Sequence, residues 1–206
     1  MVVEVYADVV CPWCYIGERR LRKALAGRPD VEVRWRPFQL RPEMPAGGLP
    51  WREEFTQEKF GGEESARAAF EQVAAAGAPD GIRFDFERVA SAPNTVDAHR
   101  LILFAEKRGV VEQATEELFR AYFTEGKNLN DPDKLIGAIS SIRLDAGEVR
   151  AYLESEANLQ EVRASQEAAH GLGISGVFDS RYAVSGAQPV EVFKRALDAA
   201  GKATAS

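Results

Sequence analysis

Cysteine and histidine are scarce in this chain, with two of each among 206 residues. Two cysteines cannot build the disulfide framework on which small secreted domains rely. Long apolar runs are missing as well. The most apolar stretch, at the N-terminus, is broken by Glu4 and Asp8, and no segment approaches the roughly 18 residues a membrane helix needs. The same acids stand where a secretory signal requires an unbroken apolar middle, so the expected location is the cytoplasm, with no membrane partner. Positive charge is in deficit. The formal net charge of -6 opposes contact with nucleic-acid phosphates and anionic lipid surfaces. What remains, 45% hydrophobic and 28% charged residues, is enough for a substantial core. The length fits one domain, or one domain carrying a large insertion.

The two cysteines stand close together, as Cys11-Pro12-Trp13-Cys14. Before them runs Val2 to Val10, apolar on both faces as a strand buried between layers would be. After them the pattern turns helical, with Ile16, Leu21, Ala24 and Leu25 among Arg19, Arg20, Arg22 and Lys23, and Gly27 as a stop. Cys11 therefore falls at a strand-to-helix junction. Pro12 suits the first helical position, where its missing N–H would be unpaired anyway, and this makes Cys11 the expected N-cap. The free N–H groups and the positive end of the helix dipole favour an anionic sulfur there, lowering the Cys11 pKa below that of a free thiol. Residues three apart on a helix lie within disulfide reach, so Cys14 can close onto Cys11 and expel a bound partner. One cysteine attacks and the other resolves. The competing reading is half of a zinc site completed by His99 and His170. Those histidines are far apart in sequence, whereas structural zinc pairs are usually closely spaced, so no metal is expected.

Val31 to Phe38 alternates as a second strand, which completes a β-α-β start. Arg41 to Gly48 is rich in Pro and Gly and reads as a linker. Helical patterns follow. Val96 to Lys107 opens after Pro93-Asn94-Thr95, Val110 to Thr124 has one apolar face, Asp131-Pro132 begins another helix, and Asp145 with Glu148 forms a cap pair. A helix from Ser155 to His170 ends at Gly171 and Gly173. Phe178 to Gly186 suggests a hairpin around Asp179 and Ser180, and Pro189 opens a last amphipathic helix. The expected domain organisation is an α/β domain made of 1-48 and 156-206, with 49-155 as an all-helical insertion domain.

At this point the chain resembles a known family. The CPWC motif after a buried strand, Asn94-Thr95-x-x-Ala98-His99 opening a helix, and the closing Tyr182-Ala183-Val184-Ser185-Gly186-Ala187-Gln188 are similar to DsbA-family thiol-disulfide oxidoreductases of the FrnE-like branch. The resemblance implies an α/β, thioredoxin-like fold with a large helical insertion and a redox-active Cys pair, Cys11 attacking and Cys14 resolving. Pro12 and Trp13 would tune the pair, and Asn94 and His99 would be active-site neighbours. It implies a thiol or disulfide partner, protein or small molecule, and no bound cofactor, with glutathione as a possible thiol partner. His170, at a helix end, reads as an ordinary polar cap. A related branch, the glutathione-dependent hydroxychromene carboxylate isomerases, typically carries serine at the Cys11 position, so the intact motif counts against that alternative. The Pro12-Trp13 dipeptide brings no cation to the site, so a thiolate less favoured than in the strongest oxidants is expected. One departure stands out. The family usually shows Gly-Val-Pro and a short apolar strand where Val177 here runs straight into Phe178-Asp179, and residues missing from that junction are expected in preference to a fold without the strand. No cis-proline site residue is assigned.

Overall fold

A computed structural model describes residues 1–174, 184 and 186–204. β1 (Val2–Ala7) and β2 (Glu32–Pro37) pair in parallel, Val5 opposite Trp35 and Ala7 opposite Pro37. A parallel pair needs a crossover, and α1 (Pro12–Leu25) supplies it. The strand stops earlier than its apolar run. Asp8 turns the chain, its carbonyl accepting the Cys11 N–H at 3.0 Å and its carboxylate the Leu40 N–H at 2.8 Å, so residues 8–10 leave the ladder.

The chain then reaches a short antiparallel ladder, β3 (Leu49–Pro50) with β4 (Ser91–Ala92), an exception to the all-helical reading of this stretch. Two-residue strands carry no periodicity to detect. Between them lie a π-helical turn (Trp51–Phe55), α2 (Thr56–Phe60) and α3 (Glu63–Gly77). Next come α4 (Val96–Glu106), α5 (Val111–Phe123), α6 (Pro132–Ala138) and α7 (Ala146–Glu154). The caps are those the sequence signals. The Asp131 carboxylate accepts the N–H groups of Asp133 and Lys134, and that of Asp145 accepts the Glu148 N–H at 2.8 Å.

α8 (Leu159–Gly171) begins four residues later than its pattern suggests. The guanidinium of Arg100 draws in the Ser155 and Ala157 carbonyls at 2.6 and 2.8 Å, and Asn158 takes φ 61°, so 155–158 cannot wind helically. α9 (Val190–Thr204) closes the chain and lays Phe193 and Leu197 against Leu21 and Ala24 of α1. The Val177–Phe178 junction and the hairpin expected around Asp179 lie outside the described residues. Among the described residues no peptide bond is cis.

α4 is buried from Ala98 to Ala105 and packs against α5, α7, α8 and β2. A helix buried on nearly every side belongs at the centre of a fold, and its buried polar side chains, His99 and Arg100, face partners there. One continuous apolar cluster joins Val9, Cys14, Ile16 and Trp35 to Leu101, Leu118, Phe123 and Val149. The strand-helix-strand unit and the helices of 96–149 therefore share a core. Tyr15 of α1 stacks on Phe119 of α5 with centroids 4.8 Å apart.

A polar network borders that packing. The Tyr15 hydroxyl donates to Glu116 at 2.7 Å, Arg19 also pairs with Glu116, and Arg22 pairs with Glu18. Burial pushes the Glu18 carboxyl up to about 7, against the opposing attraction of Arg22. With its folded value above the ordinary 4.5, Glu18 binds its proton more tightly in the folded chain. The resulting stability is complete below pH 4.5 and is lost as the pH rises through 7. Glu18→Gln is expected to flatten the dependence of unfolding free energy on pH between those limits by about 1–3 kcal/mol, read from urea unfolding at several pH values. An unchanged slope in the variant would remove Glu18 from this account.

Candidate active site

Cys11 sits at the N-cap of α1 with φ -95° and ψ 109°, an extended conformation that lets its side chain turn back over the first turn. Its Sγ accepts the Cys14 N–H at 3.3 Å. Pro12 occupies the first turn, where no N–H is needed. Both cysteines are free thiols and both are buried, Cys11 at 7% exposure and Cys14 at 4%. Trp13 between them is 37% exposed, so the motif turns its indole outward and its sulfurs inward.

The two thiols are inequivalent. A hydrogen bond from the Cys14 thiol, with further donation from the backbone N–H groups of Cys14 and Trp13, lowers the Cys11 pKa despite its burial. Burial drives the Cys14 thiol well above its ordinary value, and the hydrogen bond and charge of Cys11 push the same way. The helix terminus thus favours the anionic form of Cys11, while burial disfavours ionisation of Cys14. That is the arrangement in which one sulfur attacks a disulfide and the other waits to resolve it.

His99 is 1% exposed on α4, and its Nε2 lies 3.4 Å from Oδ1 of Asp8, which is equally buried. α4 thereby brings His99 up behind the cysteine motif. Asn94 has a different set of partners. Its amide donates to the Met44 carbonyl at 2.7 Å, its Oδ1 accepts the Val96 N–H at 3.0 Å, and its own N–H goes to Asn130 Oδ1. These bonds tie the 41–48 linker to the start of α4 and do not run to the sulfurs. His170 is exposed at the end of α8, 3.1 Å from Gln166 Nε2, with its ring edge-on to Phe38. Among the described residues no three His, Cys, Asp or Glu side chains converge as metal ligands.

Asp8 is the site residue that sequence reasoning passes over. It appears there only as an acid interrupting an apolar run, and that interruption three residues before Cys11 was the available signal. In the fold its carbonyl accepts the Cys11 N–H, one carboxylate oxygen accepts the Leu40 N–H, and the other faces His99.

The family model of the DSBA-like thioredoxin domain matches residues 2–198. A probable DsbA oxidoreductase from Streptomyces coelicolor superposes with a TM-score of 0.88 at 37% identity, covering 98% of this chain and 90% of the other. An uncharacterized Bacillus subtilis protein, YwbO, is 26% identical over 199 residues, 95% of this chain and 94% of its own length. The cytosolic disulfide reductase DsbM from Pseudomonas aeruginosa, solved with GSH, has the same fold, with a TM-score of 0.69 at 18% identity and coverage of 98% and 100%. The family match at 2–198 spans the strand-helix-strand unit and the helices that follow. The chain belongs to the family of DSBA-like thioredoxin domains, with a thioredoxin-like α/β fold.

Proposed function

We propose that this protein is a protein-disulfide oxidoreductase in which Cys11 attacks and Cys14 resolves. The observation that carries the reading is the asymmetry at the head of α1, a sulfur stabilised as thiolate beside one kept protonated within hydrogen-bond reach. In the reducing direction the Cys11 thiolate attacks a substrate disulfide, one substrate thiolate leaves, and Cys14 then displaces the other. Two electrons pass from the cysteine pair to the substrate. The reverse sequence oxidises a dithiol. Pro12 sets the helix start and Trp13 offers an exposed apolar face beside the reacting sulfur, as a docking substrate would meet it.

We place the reaction in the cytoplasm, in the FrnE-like branch of the family, with glutathione as a small thiol partner and no resident cofactor. The intact CPWC pair, the acidic net charge and the GSH-bound structural neighbour support this setting. The residues 1-48 and 156-206 form the thioredoxin-like domain in this proposal, and 49-155 the insertion. Turnover of insulin disulfides with dithiothreitol, or of a reduced dithiol peptide with oxidised glutathione, is the test. The reading expects catalysis of at least one reaction above the uncatalysed rate, and no acceleration of either would end it.

A further inference from the structure

The turn before the motif borders a small pocket. Val10, the residue preceding Cys11, forms part of its wall, together with Met44, Trp51, Phe55 and Tyr122. The π-helical turn stacks Trp51 on Phe55 with ring centroids 4.7 Å apart, which makes one side of the pocket flat and apolar. Buried Asp8 and Thr95 close its inner end. A wall of this kind takes an apolar side chain.

Two further lining residues are cations, and they differ in their partners. Arg41 and Lys59 both lie against the Phe55 ring, 5.6 and 5.8 Å from its centroid. Lys59 reaches it because residues four apart share a helical face. Arg41 is neutralised by Glu43 at 3.1 Å and by Glu58. Lys59 is exposed, and among the described residues no carboxylate pairs with it. In a chain with a formal net charge of -6, an unpaired cation beside an apolar pocket is a local reversal of sign. An anionic group finds there the attraction that the chain as a whole denies it. The inner end offers an acid and no cation, so the carboxylate of a bound molecule stays outside with Lys59.

Resting on the thiol-disulfide reading above, we propose that Lys59 is a specificity-determining residue, and that the pocket selects peptide disulfides with an apolar side chain beside the half-cystine and a carboxylate beyond it. The apolar side chain enters against Trp51 and Phe55, the carboxylate meets the Lys59 ammonium, and the substrate sulfur is presented to the motif that begins next to Val10. An extended peptide advances about 3.3 Å per residue, so its first and second neighbours of the cysteine fall on different parts of the site.

Peptides with blocked termini test this, each carrying Leu beside a cysteine and Glu, Gln or Lys beyond the Leu, in both chain directions, with the cysteine activated as its 2-pyridyl disulfide. The Cys11 thiolate attacks the peptide sulfur, the Cys11–peptide disulfide forms, the bond to the pyridyl sulfur breaks, and pyridine-2-thione leaves with the electron pair. Thione absorbance gives the rate. In at least one chain direction the reduced wild type is expected to favour Glu over Lys on the order of 10-fold at low ionic strength, with Gln between, and to lose the preference at about 1 M salt. Exchanging Leu for Ser in the Glu peptide is expected to slow it by on the order of 10-fold. Lys59→Glu is expected to reverse the charge order and Lys59→Arg to keep it. Arg150→Glu, the same change of charge on α7 outside the pocket, is expected to keep it as well. Damage to the fold or to the nucleophile would slow all the peptides alike. Equal rates for Glu, Gln and Lys peptides in the wild type, a Ser peptide as fast as its Leu counterpart, or an order that Lys59→Glu leaves unchanged would overturn the inference. If no peptide releases thione, the thiol-disulfide reading fails first and takes the inference with it.

Discussion

Cys11→Ser is expected to reduce thiol-disulfide turnover to the uncatalysed level, a loss on the order of 10³-fold or more, without loss of the fold. Serine is among the best N-cap residues, so its hydroxyl can accept the Cys14 N–H that the sulfur now accepts at 3.3 Å. What disappears is the nucleophile. A hydroxyl is not ionised by a helix terminus at neutral pH, whereas the same terminus and its N–H donors lower the pKa of the Cys11 sulfur. A midpoint of thermal unfolding equal to or above that of the wild type, together with lost turnover, is the expected combination. Turnover retained by Cys11→Ser would mean that the chemistry lies elsewhere in the chain.

Arg100→Ala is expected to destabilise the protein by about 2–4 kcal/mol, the largest change in stability foreseen for one residue. The Arg100 side chain is 3% exposed, and every N–H of its guanidinium is used. The recipients are Asp97 at 2.7 Å, the Tyr152, Leu153 and Ser155 carbonyls at 2.8, 3.1 and 2.6 Å, and the Ala157 carbonyl at 2.8 Å. Those carbonyls belong to the end of α7 and the turn into α8, where a helix leaves acceptors unpaired. One side chain on the central helix therefore closes two others. Truncation takes this donor from the Leu153, Ser155 and Ala157 carbonyls, strips one bond from the Tyr152 carbonyl, which keeps the Ser155 N–H, and removes the guanidinium that lies on the Tyr152 ring. Arg100→Lys, with three donors on a compact head, is expected to recover only a minor part. Urea unfolding of the three proteins measures this, and a loss under about 1 kcal/mol for Arg100→Ala would contradict it.

The parts legible in the sequence were those fixed by local rules. The N-cap at Cys11 follows from a strand pattern, a proline and a helical pattern in order, and the caps at Asp131 and Asp145 follow from short polar side chains ahead of apolar periodicity. The parts that failed depend on distant partners. Asp8 ends β1 because the Leu40 N–H, 32 residues away, claims its carboxylate. The start of α8 is delayed by Arg100, more than 50 residues earlier. At the site, the cysteines are neighbours in sequence and could be paired on the page, but Asp8 and His99 meet only because α4 threads the core. No window of sequence contains both.

The central claim is that Cys11 attacks and Cys14 resolves, and trapping the intermediate tests it most directly. Reduced wild-type, Cys11→Ser and Cys14→Ser proteins are exposed to oxidised glutathione, quenched with acid, and read by intact and peptide mass spectrometry. The account predicts an internal Cys11–Cys14 disulfide in the wild type, one glutathione on Cys11 in Cys14→Ser, and an unmodified Cys11→Ser protein over the same interval. A glutathione carried on Cys14 in Cys11→Ser, as fast as or faster than on Cys11 in Cys14→Ser, would contradict it.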